Sequence, residues 1–181
     1  SCEITTNAAV AGQGGGLCAH DSHARLEGCT MAGNHAAVAG GAIATAGGGL
    51  TIASCTLYGN SAGLAGGGMS CENGADPVLR NTIVACSSAG EALICTPDCS
   101  PELVCCDLFG NEGGDWTGEI ADQYGVNGNI SRDPLFCDPA TGDFALNGAS
   151  PCTEYNHPEC GLIGALPVGC GPRTYVLNAE G

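Results

Sequence analysis

The chain contains no lysine, and its four arginines, Arg25, Arg80, Arg132 and Arg173, stand against 19 carboxylates for a formal charge of −15. A surface of that sign repels nucleic acid and anionic membrane, so neither is an expected partner. Aromatic residues make up only 4% of the chain, too few for the wide core of an ordinary globular domain. A narrow core stacked from Ala, Val, Ile and Leu needs fewer. No apolar run reaches the ~20 residues of a membrane-spanning helix, so no insertion is expected. No window carries an apolar stripe of helical period, and the 31 glycines also weigh against helices. They do not recur every third residue, which excludes collagen. No Cys-x-x-Cys-His run marks a covalent haem, no Gly-x-Ser-x-Gly marks a hydrolase elbow, and Cys95-x3-Cys99 with Cys105-Cys106 does not make a pair of zinc knuckles. The opening Ser1-Cys2, without initiator Met or leader, reads as a processed product or a trimmed fragment.

What is present is a repeat. Cys29-Thr30-Met31-Ala32-Gly33-Asn34 recurs as Cys55-Thr56-Leu57-Tyr58-Gly59-Asn60, as Asn81-Thr82-Ile83-Val84-Ala85-Cys86 and as Cys106-Asp107-Leu108-Phe109-Gly110-Asn111, with a first copy at Cys2 to Asn7. The starts at residues 2, 29, 55, 81 and 106 lie 27, 26, 26 and 25 residues apart, the mark of a solenoid. Two further markers keep step. A glycine cluster closes on one apolar residue, as in Gly40-Gly41-Ala42-Ile43 and Gly66-Gly67-Gly68-Met69. An apolar residue precedes each start by three: Leu26, Ile52, Val78 and Leu103. The alternation of Thr30 and Ala32 with Met31 is that of a strand with one face inward. Three markers per turn predict three short strands and tight corners.

A coil of about 26 residues predicts an all-β fold, a parallel β-helix in which equivalent residues stack directly. Asn7, Asn34, Asn60 and Asn111 then form an amide ladder at one corner, broken at Cys86. Cys2, Cys29, Cys55 and Cys106 form a second ladder. Fourteen cysteines point to an oxidising compartment and a secreted or cell-surface protein. Cys2 with Cys29, Cys137 with Cys152 and Cys160 with Cys170 are the bridges this spacing suggests. Alternatively some of these residues are small buried core thiols.

Regular rungs are expected over residues 1–111. Residues 112–171 read as irregular final rungs and a C-terminal cap of the same domain, with Phe136, Phe144 and Leu146 on a last, more aromatic rung. Trp116 plugs the widening end of the core or marks a binding insertion. Residues 172–181 form an arm in which Tyr175, Val176 and Leu177 are β-prone.

The chain resembles the right-handed parallel β-helix repeat proteins of bacteria, with the pectin-lyase-like fold. The resemblance rests on the Cys-Thr-x-x-Gly-Asn rungs and on the ending: Asp133-Pro134-Leu135-Phe136, Gly142 to Leu146, Ser150-Pro151-Cys152, Gly161 to Ala165 and Gly169-Cys170-Gly171. It implies a secreted, mostly uncharacterised group whose members often carry a signal peptide and a C-terminal anchoring module, neither of which is seen here. Lyases on this fold pair a calcium-binding carboxylate cluster with a basic residue, and glycosidases use clustered aspartates.

Here Asp21, Glu27, Glu72 and Asp76 do not align into such a pair, and a lyase base would have to be an arginine, so no enzyme is expected. His20 and His23 around Ser22 do not reach triad geometry. His35 and His157 read as surface or corner residues. Asp133, Asp138 and Asp143 are weak Ca²⁺ candidates, and no other cofactor is expected. Asn129-Ile130-Ser131 fits a glycosylation sequon. The expected function is a structural subunit of an extracellular filament, self-associating end to end with Tyr175–Leu177 as an added strand. An adhesin or glycan-binding module, with an aromatic platform at Trp116 and Tyr124, is the alternative; a lyase or glycoside hydrolase ranks below it.

Overall fold

A computed structural model describes residues 2–172. From Glu3 to Phe109 the chain winds through four parallel sheets, one strand per sheet per turn. The first sheet stacks Glu3–Thr5, Thr30–Ala32, Thr56–Tyr58, Ile83–Ala85 and Asp107–Phe109. The second holds the two-residue strands Ala8–Ala9, His35–Ala36 and Ser61–Ala62. The third runs from Leu17–His20 through Ile43–Ala46 and Met69–Glu72 to Leu93–Cys95, and the fourth from Arg25–Glu27 through Thr51–Ala53 and Val78–Arg80 to Glu102–Val104. The second sheet is the one that three markers did not foretell. Its strands, two residues each, are too short to show a period.

Alternation fills a narrow interior. Met31, Leu57, Val84 and Leu108 point in from the first sheet, Ile43, Met69 and Leu93 from the third, and Ile52, Leu79 and Leu103 from the fourth. The second to fifth strands of the first sheet each lie between two left-handed corners. Gly28, Ser54, Asn81 and Cys105 precede the second to fifth strands, and Gly33, Gly59, Cys86 and Gly110 follow them, all at positive φ. In the glycine clusters, Gly41 runs so close to the Gly67 carbonyl that a Cβ would collide with backbone. That close approach, rather than turning alone, requires glycine there.

The register corrects the repeat by one residue in its fourth copy. Ile83 pairs with Thr56 and with Asp107, so Thr82, not Asn81, stacks on Cys55. The starts are therefore 2, 29, 55, 82 and 106, at intervals of 27, 26, 27 and 24. Leu79, not Val78, is the inward residue of the fourth sheet, since Leu79 pairs with Ile52. Cys86 occupies a left-handed corner, and Ser87 takes the place in the asparagine ladder.

The solenoid is closed at its last rung by residues 112–130. The 3-10 turn Gly118–Gln123 lays Ile120 into the core, and Trp116 packs beside it. Residues 131–172 do not add a rung. They form a flap whose strand Asp143–Asn147 is antiparallel to Phe136–Asp138 and parallel to Val168–Cys170. The flap lies on the outer face of the first sheet. Phe136 and Phe144 pack on Tyr58, with ring centroids 5.6 and 5.0 Å away. Leu146, Cys152 and Ile163 cover Ile83 and Ala85. The expected aromatic rung is thus a side cover. Its physical reason is the apolar outer face, Tyr58, Ile83 and Ala85, which needs burial as much as an open end does.

Two disulfides hold the flap. Cys105, at the last corner, joins Cys160, and Cys137 joins Cys170, with Cα separations of 5.5 and 5.8 Å. These replace the expected Cys137–Cys152 and Cys160–Cys170 bridges, because folding the segment sideways puts Cys160 beside the solenoid and Cys152 beneath the flap. Cys2 and Cys29 are not bridged.

Candidate functional site

Both ladders exist, and both are structural. The Asn34 amide accepts the Asn7 N–H and Nδ2 at 3.0 Å, while its own Nδ2 donates to the Ile4 carbonyl and to Asn60 Oδ1. Asn60 Nδ2 donates to the Met31 carbonyl. Asn111 resumes the pattern, accepting from Ser87 N and donating to the Val84 carbonyl. Each amide thereby satisfies the turn of the rung before it. In the second ladder the cysteines act as thiol donors: Cys29 to the Glu27 carbonyl, Cys55 to that of Ala53, and Cys106 to those of Leu79 and Val104. Burial pushes the Cys55 thiol up to about 11 and Cys106 up to about 12, so both stay protonated. Thr82 and Asn129 complete this ladder, accepting from Cys55 N and Cys106 N. Asn129 is buried, and its Nδ2 donates to the Leu103 carbonyl. The sequon is therefore a capping residue, out of reach of a glycan transferase in the folded chain.

The two ends of the solenoid differ. At the last rung, Ala92 N donates to the Gly114 carbonyl, Leu103 N to Gln123 Oε1, Cys105 N to the Asn127 carbonyl and Leu108 N to the Ile130 carbonyl. Gln123 Nε2 returns a bond to the Pro101 carbonyl. The edges of three sheets are thus blocked by residues 114–130. At the first rung, each of the four sheets ends on a strand that has, among the described residues, a neighbour on one side only. Thr6 N donates to the second rung and the Cys2 carbonyl accepts from it. By the alternation of a strand, the N–H groups of Glu3 and Thr5 face the open edge. Ile4, Leu17 and Leu26, the inward residues of this rung, are only partly buried.

Beside that edge the flap leaves a groove of about 440 Å³. Its floor is Thr5, Thr30 and Ala32 of the first two rungs, and its wall is Tyr58, Phe144 and Leu166. Among the described residues Glu3 is the sole charged group lining it.

The other candidate residues do not converge. Asp133 Oδ1 accepts the Leu135 N–H, Asp143 Oδ1 accepts the Ala145 N–H, and Asp138 faces Asp143 across the strand pair. Among the described residues no group of three His, Cys, Asp or Glu side chains is arranged to hold a metal ion. Arg25 and Arg80 pair with Glu27 and Glu102 at 3.0 and 2.7 Å on the surface. His20 Nε2 lies 3.3 Å from the Cys18 thiol, and Ser22 Oγ accepts Ala24 N, so no triad forms. His35 bonds Ser61 Oγ on the surface, whereas His157 is buried in a flap turn against Glu159. The rings of Trp116 and Tyr124 lie 5.9 Å apart at 37°, with Tyr124 exposed and Trp116 Nε1 donating to the Ile130 carbonyl. Tyr175, Val176 and Leu177 lie outside the described residues.

One ionisable group was not foreseen. Asp107 points outward from the first sheet and is fully covered by the flap. Its Oδ1 accepts Arg132 N, and its Oδ2 accepts the Cys152 thiol at 3.1 Å. Burial, offset in part by those bonds and reinforced by Asp115 and Asp133, pushes it up to about 7. Burial and the Asp107 carboxylate push Cys152 well up in turn. The sequence signal was partial: Asp107 stands where the second to fourth rungs carry Thr30, Thr56 and Ile83, but the first rung carries Glu3 there.

The stacked rungs, amide ladder and coil period define a parallel β-helix. Residues 1–130 match the family model of the right handed beta helix region, and the chain belongs to that family. The match ends where the cap gives way to the flap. No curated protein and no solved structure matches the chain.

Proposed function

We propose that this β-helix is a structural module of an extracellular or cell-surface assembly, joined to its neighbours through the open first rung, without a catalytic role. The observation that carries this reading is the asymmetry of the ends. Residues 114–130 occupy the last-rung edge donors, while the Glu3–Thr5 strand offers an unpaired edge beside partly buried Ile4. Strand edges of this kind are templates for pairing. The disulfides and the absence, among the described residues, of any helix long and apolar enough to cross a membrane accord with an extracellular setting. A filament growing by end-to-end contact needs a second adhesive element besides the first rung.

The test is light scattering after size-exclusion chromatography, on the intact chain and on Thr5→Pro, which removes one edge N–H and leaves the bonds to the second rung in place. Multimers in the former and monomers in the latter are expected. A monomeric intact chain across the micromolar range, or multimers unaffected by Thr5→Pro, would count against the reading.

A further inference from the structure

We propose that Cys71 and Cys95 are a redox site inside the solenoid: oxidation joins them in a disulfide that staples the third rung to the fourth, with Cys99 left beside it as a thiol.

The site is set by register. On the inward face of the third sheet, Ala19, Thr45, Cys71 and Cys95 stack one per rung. The last step of that column has a cysteine on both sides. Directly paired residues of neighbouring strands have Cα atoms about 4.8 Å apart, inside the range of roughly 4.4–6.8 Å that a disulfide spans. Both side chains point into the same core, so neither strand has to turn to bring sulfur to sulfur.

The structure holds the pair reduced. Its hydrogen bonding sets it apart from the cysteine ladder of the first sheet. There Cys29, Cys55 and Cys106 each donate to the carbonyl two residues earlier. Cys71 has the Cys95 thiol as its partner instead. Cys99, the third thiol of the cluster, is turned aside. Thr96 Oγ1 gives its one hydrogen to Asp98 Oδ1 at 2.6 Å. In its 3.4 Å contact with Thr96 Oγ1, the Cys99 thiol is therefore the donor.

Access comes from the corner. Thr96, Pro97 and Asp98, which follow Cys95, are exposed, and Cys95 is itself 9% exposed against 2% for Cys71. Cys95 is therefore the first to attack a small disulfide such as oxidised glutathione, forming a mixed disulfide and releasing one glutathione thiol. Cys71 then attacks the Cys95 sulfur, and the second glutathione leaves as a thiol. The two cysteines have given up two electrons and two protons, and the oxidant has taken them up. The bond to Cys95 and burial push the Cys71 thiol well up, so closure is slow at neutral pH and speeds up as pH rises. The product holds one turn of the coil to the next, whereas Cys105–Cys160 and Cys137–Cys170 hold the flap.

Peptide mapping of the intact chain tests this. The native protein is equilibrated with glutathione buffers in which both flap disulfides stay closed. It is then denatured in N-ethylmaleimide and cut with a protease that cleaves before aspartate. Cleavage before Asp76 and Asp98 places Cys71, Cys95 and Cys99 on three different peptides. The expected product joins the first two, with maleimide on Cys99, and fragment spectra place the link at Cys71 and Cys95. The link persists in Cys99→Ser. Maleimide on all three cysteines of a chain whose flap disulfides are intact overturns the proposal, and so does a link from Cys99 to either of the others.

Discussion

Two residues carry the sharpest consequences. Asp107 has a folded-state value near 7 against 3.8 for the free group. Between these values the unfolded chain is ionised while the folded chain keeps the proton. Stability therefore falls as pH rises through that window and levels off above it. The integrated loss is on the order of a few kcal/mol. Urea midpoints of the intact protein are expected to drop from pH 5 to pH 8, and Asp107→Asn to flatten the drop. Equal slopes in both proteins would show that another group sets the dependence. Ser87 is the second residue. It interrupts the amide ladder between Asn60 and Asn111, and its buried Oγ has no partner. Ser87→Asn restores the rung and is expected to raise stability by about 1 kcal/mol, some 2–4 °C in Tm. The reverse change, Asn34→Ala, orphans the Asn7 N–H and the Ile4 carbonyl. It should cost about 2–4 kcal/mol in the same melts.

Among the elements, what could be read from the sequence follows from what repeats. The first-sheet strands, the glycine close approaches and the asparagine corner recur with enough identity to show. The fourth copy slipped by one residue because Thr82, Cys55 and Asn129 make the same backbone bond, so no single residue type marks that place. The second sheet is invisible in the sequence because two-residue strands are too short to carry an alternation. The flap was misplaced for a different reason. Phe136, Phe144 and Leu146 look alike whether they fill the end of a core or cover its side. Only the apolar outward residues Tyr58, Ile83 and Ala85 distinguish the two. The Cys105–Cys160 bond joins the last corner to the flap across 55 residues. Cys160→Ser is expected to cost about 2–4 kcal/mol. It should also speed amide exchange in the flap, at Ala165 and Gly164, while leaving the rungs at Leu57 and Val84 protected. Uniform loss of protection would mean that flap and solenoid unfold as one unit.

At the scale of the whole molecule, the charge of −15 opposes the association that the open first rung invites. Self-repulsion is screened as the Debye length shrinks, from about 30 Å at 0.01 M salt to about 3 Å at 1 M. Multimers should therefore grow with NaCl in sedimentation velocity runs. Dissociation by salt would point instead to contacts held by ion pairs between molecules.

The flap also bears on mechanics. The Cys137–Cys170 bond closes a loop over the intervening residues 138–169. A pull applied at the C-terminus passes through that covalent shortcut to residue 137. The Cys105–Cys160 bond gives a second route to the solenoid, through residues 161–169, so Phe144, which lies on neither route, bears no tension while both bonds are intact. The loop that carries Phe144 would thus keep its shape under load and yield only after a reductant has cut the thread.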